Sequence, residues 1–151
     1  MKSILLLAAV ALCPMFMSAQ NSNPNFDKAL ADSLGADQYG MKMYVMVILK
    51  SGTGNITDKA KRDSIFRGHM SNIGRMAKLG KLVIAGPFEK NEQNYRGIYI
   101  FNATLEETRQ LVLTDPAVKE KLLEPEIYQW YGSAALPVYL PYHEKVWTQK
   151  P

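Results

Sequence analysis

The sequence of 151 residues contains two histidines, His69 and His143, and a single cysteine, Cys13, so side chains suited to proton transfer near neutrality are few. Ile65 and Ile73 lie one helical turn to either side of His69, and Arg62 and Met76 lie two turns away, which puts all five on one stripe of a helix. An imidazole on or beside an apolar stripe can act as an acid or base, or simply hydrogen-bond a carbonyl. Asp115 stands before Pro116. That position suits a helix cap accepting from the N–H of Ala117 or Val118; a carboxylate beside an imidazole would instead fix its tautomer and raise its basicity. On the residues alone both readings stand for each side chain.

The remaining candidates are weaker. Arg75 and Arg96 could each hold a carboxylate bidentately, or could be solvated surface. Gly86-Pro87 offers a side-chain-poor backbone after a strand, for a turn or for close approach of a ligand. Trp130 could wall a pocket, with Tyr131 beside it in the core. His143, within Tyr142-His143-Glu144, could join His69 and Asp115 in a two-histidine, one-carboxylate metal set. No pair of these has a local spacing such as His-x-x-x-His, and no metal is expected. The sequence has no serine nucleophile elbow, P-loop or dinucleotide glycine pattern, and no cofactor is expected.

The elements that must position these residues follow from periodicity. Phe26, Leu30 and Leu34 have helical spacing, ended by Gly35; residues 41–49 form an apolar strand broken by Gly52-Thr53-Gly54. A long helix runs from about Asp58, with Thr57 as its expected cap, to Leu79, and Gly80 sits where a left-handed residue belongs. Residues 82–85 and 95–101 read as strands. Thr104 and Glu107 have capping-box spacing for a helix to about Thr114, which Asp115-Pro116 stops. A short helical turn over 117–122 leads to a last strand, 127–131. The order β-α-β-β-α-β is that of a ferredoxin-like α+β fold.

The start of the chain has the pattern of an export signal: Lys2, an apolar run from Ile4 to Leu12, then Met17-Ser18-Ala19. Residues 1–19 are expected to be removed, with export to the periplasm or the outside. A lipoprotein signal using Cys13 is disfavoured by the large Leu12 before it. Cleavage leaves no thiol, which excludes disulfides, thiolate catalysis and cysteine metal sites in the mature chain. No segment approaches the roughly 20 apolar residues of a spanning helix, so no integral membrane segment is expected. The formal charge of +4 falls to +3 without Lys2, and its basic residues are interspersed with acidic ones. That pattern favours a solvated surface over a nucleic-acid footprint, and no nucleic-acid partner is expected.

Several strands are apolar on both faces. Tyr44, Met46 and Ile48 alternate with Val45, Val47 and Leu49; Ile98 and Ile100 with Tyr99 and Phe101; Ile127 and Tyr131 with Tyr128 and Trp130. Two helices cover one face only. The other, expected to be rich in Tyr, Phe and Trp, needs a second copy of the chain, or else the N-terminal helix and the tail after Gly132 folded back.

The ordered landmarks Gly68-His69-Met70, Leu79-Gly80, Ala85-Gly86-Pro87, Gly97, Asp115-Pro116 and Trp130 resemble the YCII-related family of small α+β proteins over roughly residues 43–131. The resemblance implies a dimeric α+β barrel built on the ferredoxin-like sheet. It also implies a pocket in which His69 and Asp115 face each other as the candidate catalytic pair, with Gly86-Pro87 and Trp130 near it. On that reading the chain divides into a leader, 1–19; a lead with a short helix, 20–40; a YCII-like domain, 41–132; and a tail, 133–151. The expected function is a small-molecule enzyme of lyase or isomerase type. The alternative is a non-catalytic envelope module that binds a ligand or serves as a structural dimer. The leader, lead and tail depart from the family pattern, and a tail bearing Pro137 and Pro141 could close the pocket.

Overall fold

A computed structural model describes residues 23–149; the expected leader and Cys13 lie outside them. Helix α1 (Lys28–Leu34) starts where the Asp27 carboxylate accepts from the N–H of Leu30, and ends at Gly35, which takes the left-handed conformation at φ +68°. Strand β1 (Met41–Ser51) follows, then α2 (Lys59–Lys78). The cap of α2 is Asp58 rather than Thr57, because Asp58 directly precedes the first helical residue and its carboxylate reaches the N–H of Lys61 at 3.2 Å. At the other end, Gly80 donates to Ala77 O and Lys81 to Met76 O, a Schellman closure that needs the positive φ glycine supplies.

Strands β2 (Leu82–Pro87) and β3 (Tyr95–Phe101) form a hairpin. Helix α3 (Leu105–Leu113) is capped by Thr104 as its spacing predicts, and α4 (Pro116–Lys119) by Asp115. Strand β4 (Leu123–Ser133) runs further at both ends than 127–131, because all of its residues pair with β1 from Met41 to Ser51. A 3-10 turn (Leu136–Tyr139) and a four-residue helix α5 (Leu140–His143) complete the described chain.

The sheet order is β2-β3-β1-β4 with every neighbouring pair antiparallel, which is the ferredoxin-like topology. Directly paired residues share a face, so the register decides what each strand shows to the helices. Val45, Val47, Leu49, Tyr99 and Phe101 face α2, α3 and α4 and close a core with Ile65, Met76, Val112 and Ala117. Burying each large side chain of this kind contributes about 1.5–3 kcal/mol.

The opposite face carries Tyr44, Met46, Ile48, Ile98, Ile100, Tyr128 and Trp130. Tyr99 and Phe101 belong to the helix side. The open face is therefore aliphatic at its centre, with aromatics on β1 and β4, and contains no phenylalanine among these strand residues. The tail covers one end of it. Leu136 packs on Tyr44, Val83 and Ile100, the Tyr139 hydroxyl donates to the Val83 carbonyl, and the Tyr44 hydroxyl donates to the Ser133 carbonyl at 3.0 Å. Helix α1 gives no such cover, since none of its residues is buried. Met46, Ile48, Ile84 and Ile98 stay half-buried and Tyr128 is 47% exposed.

Candidate functional site

Helices α2 and α4 touch at Gly68, where a Cβ would come within 2.9 Å of Pro116 Cγ. Only glycine lets the proline ring sit so close to the helix. Gly68 and Pro116 each adjoin a candidate residue, His69 and Asp115, so this contact sets the distance between them. His69 Nδ1 lies 2.7 Å from Asp115 Oδ2, and their side chains are 12% and 1% exposed. The other carboxylate oxygen, Oδ1, accepts from the Ala117 N–H at 2.8 Å. The capping and imidazole-pairing roles that the sequence offers as alternatives are thus both filled, one by each oxygen.

A carboxylate can only accept, so the imidazole donates through Nδ1; in the neutral ring Nε2 is the acceptor, and it has no hydrogen-bond partner among the described residues. His69 keeps its apolar setting: Ile65 and Met76 are buried, Ile73 is half-buried, and Arg62 projects to solvent at the start of the stripe. The Phe66 ring meets the imidazole edge-on at 6.0 Å, and the Tyr99 ring lies nearly parallel to it at 27°, with centroids 6.4 Å apart.

Tyr99 is the site residue that sequence reasoning missed. It is 2% exposed, and its hydroxyl has no hydrogen-bond partner among the described residues. Burial pushes its pKa well up, and the Asp115 carboxylate pushes it further, so the phenol stays protonated. The alternation of β3 could place Tyr99 on either face until the pairing register is known; its position opposite Val47 and Ala85 puts it under α2.

The other candidates fall elsewhere. The Arg75 guanidinium donates to Asn72 Oδ1 at 2.8 Å and Thr114 Oγ1 at 2.7 Å, which ties α2 to the end of α3. Arg96 is exposed and donates to Ser51 Oγ at 2.6 Å. Gly86 and Trp130 lie on the open side of the sheet, with the Trp130 ring laid over Gly132, where a Cβ would meet it at 2.3 Å. Trp130 therefore does not wall the His69 site, because the sheet separates them. Pro87 returns to the helix side, two residues beyond Ala85. Tyr131 is half-exposed rather than core, and its hydroxyl donates to Asp37. His143 packs edge-on against Tyr139 in the tail, and no group of three potential metal ligands occurs among the described residues.

Two of the grooves on the described surface bear on the site. One of about 520 Å³ lies between β1, β4 and the start of α3, with Tyr44, Lys81, Glu107 and Gln129 among its lining residues. The other, about 460 Å³, is a shallow depression lined by Asp63, Phe66, Arg67 and Met70 of α2. The second adjoins His69 through Phe66; neither is lined by His69 or Asp115 itself. Among the described residues no helix is long and apolar enough to cross a membrane.

No protein-family model and no curated protein matches the chain. Among solved structures it is similar to 5-chloro-2-hydroxyhydroquinone dehydrochlorinase from Burkholderia phenoliruptrix AC1100, in complex with 2,5-dihydroxybenzoquinone. The identity is 17%, the similarity covers 57% of this chain and 92% of that one, and the TM-score is 0.41. At that score the likeness carries no functional argument, and the site stands on its own geometry.

Proposed function

We propose that this chain is a YCII-related, exported small-molecule enzyme in which His69 and Asp115 form a general acid-base pair of lyase or isomerase type. One observation carries the reading: a carboxylate that is 1% exposed is held 2.7 Å from the Nδ1 of an imidazole that still reaches the surface. The pairing supports proton transfer at Nε2. Asp115 orients the ring and stabilises the imidazolium, so Nε2 can take a proton from an acidic C–H or O–H of a substrate and return it to a leaving group or to another carbon. The helix start at Ala117 holds the carboxylate in place while this happens. The half-buried apolar centre of the open sheet face supports a homodimer joined through that face, the tail covering only one end.

A non-catalytic ligand-binding or structural module is the second reading, and one observation favours it: Asp115 caps α4 by accepting from the Ala117 N–H, a role that needs no chemistry. Replacing His69 by Gln separates the two. In an enzyme it cuts turnover by roughly 10² to 10⁴ while fold and ligand affinity persist. Wild type and variant are incubated with small aromatic and carbonyl compounds, and thermal shift is followed alongside substrate loss. Compounds that stabilise both proteins and are consumed by neither would refute the enzyme.

A further inference from the structure

The tail is apolar on both of its sides. Its inner side closes one end of the open sheet face, with Leu136 on Tyr44, Val83 and Ile100 and the Tyr139 hydroxyl on the Val83 carbonyl. A segment that merely capped the sheet would turn polar residues outward. This one leaves Val138, Tyr142, Val146 and Trp147 exposed, Tyr142 at 61% and Val146 at 78%. Its helical pieces are four residues each, too short to hold their shape unaided. The other end of the face is bare: Met46, Ile48, Ile84 and Ile98 are half-buried and Tyr128 is half-exposed, with Lys50 and Glu126 paired at 2.9 Å on the rim. That end is too small to hold two copies together by itself. Four strands about 4.8 Å apart, followed over about five residues at about 3.4 Å each, make roughly 300 Å², and even about twice that for side-chain relief falls short of the about 800 Å² per partner in a stable interface.

We propose that residues 136–147 are the docking segment of a two-fold homodimer, the tail of each copy lying between the closed end of its own sheet and the bare end of its partner's. The inference rests on the homodimer reading and names the surfaces that meet. Two identical sheets that face each other are related by an axis lying between them, running along the strands or across them. An axis along the strands sets tail against tail and holds the bare ends apart. An axis across them places the raised end of each copy over the bare end of the other, so the two steps interlock. Each copy then buries its bare end and the outer side of its tail together, which supplies the area that the sheet alone lacks. Tyr142 and Trp147 are the anchors of this contact, since large aromatic side chains dominate interface energetics.

Sedimentation velocity across a range of concentrations tests this with four proteins: wild type, a tail variant (Tyr142→Glu with Trp147→Glu), a face variant (Tyr128→Glu) and Leu113→Glu. The Leu113 side chain is similarly exposed but belongs to α3, on the helix side of the sheet. Wild type and Leu113→Glu are expected to dimerise alike, and the tail and face variants each to dissociate at least about tenfold more readily. An equimolar mixture of those two variants decides the arrangement. Their mixed dimer keeps one contact between an intact tail and an intact face, which neither variant has alone, so it should form about tenfold more tightly than either. No gain on mixing overturns the exchange of tails. A monomeric wild type overturns the homodimer reading and this one together. Dissociation by the face variant but not by the tail variant overturns the docking role of the tail and leaves the homodimer standing. Dissociation by the tail variant alone puts the tail on some other surface of the partner and overturns the proposal as well. An equal loss from Leu113→Glu does so too, as a general effect of added charge.

Discussion

Helix α2 contains two glycines whose replacement by alanine should have opposite effects. Alanine is favoured over glycine in a helix interior by about 0.8–1.0 kcal/mol. At Gly74 nothing lies within 4 Å of the position a Cβ would take, so Gly74→Ala should stabilise the protein by close to that amount. At Gly68 the same Cβ would stand 2.9 Å from Pro116 Cγ, which belongs to a ring closed onto the backbone and cannot swing aside. Relieving an added methyl in a packed contact costs about 1–3 kcal/mol. Set against the helix gain, Gly68→Ala should range from nearly neutral to about 2 kcal/mol destabilising. The displaced Pro116 carries Asp115 with it, so the 2.7 Å bond from His69 should lengthen. Urea unfolding of both variants gives the energies, and the NMR signal of the His69 Nδ1 proton follows the bond. Equal stabilisation by the two substitutions, with that proton signal unmoved, would refute the claim that Gly68 sets the spacing of the pair.

Tyr128→Glu places a charge on the half-exposed open face, and should convert a micromolar dimer to monomer by light scattering; a wild-type monomer that is folded and monodisperse would remove the case for sheet-to-sheet association. At the margin of the sheet, Asp37 accepts from the Tyr131 hydroxyl, which raises the phenol from 10.0 to about 12 and lowers Asp37. The folded-state value is raised, so the stability this bond contributes is complete below pH 10 and is lost as pH climbs toward 12; on the acid side it fades as Asp37 protonates below its ordinary 3.8. Asp37→Asn should return Tyr131 toward 10.0 in an NMR or ultraviolet titration, and an unmoved Tyr131 would deny the bond.

Periodicity made the element order legible, because Tyr44 to Leu49 and Ile65 to Met76 have unambiguous spacings. It could not say which side of the sheet a residue faces. Tyr99 and Trp130 differ only in how their strands register against β1, and the irregular pairings at Leu49/Lys50 and Leu82/Ile84 each shift the count. For that reason spacing alone does not separate Trp130 from the face of His69, and Tyr99 reads as one more aromatic of an apolar strand. Arg75 looked free because its partners, Asn72 and Thr114, come together only when α2 and α3 pack. Thr57 and Asp58 are comparable caps by composition, and the start of the helix at Lys59 decides between them.

The loop at Gly52-Thr53-Gly54, which in sequence is a mere strand breaker, bears on how long the pair stays assembled. Gly52 N–H donates to Leu122 O at 2.9 Å and Gly54 N–H to Lys121 O at 2.7 Å, with no room for a Cβ at either glycine. The exit of α4 is thereby strapped to the end of β1, while its entrance is pinned at Asp115. A four-residue helix has almost no lifetime of its own. Its opening must therefore break contacts at both ends together, and the His69 to Asp115 bond can last no longer than this strap. Hydrogen exchange at Ala117, Gly52 and Gly54 should proceed as one cooperative unit, and its opening rate sets an upper limit on how long the site persists between excursions.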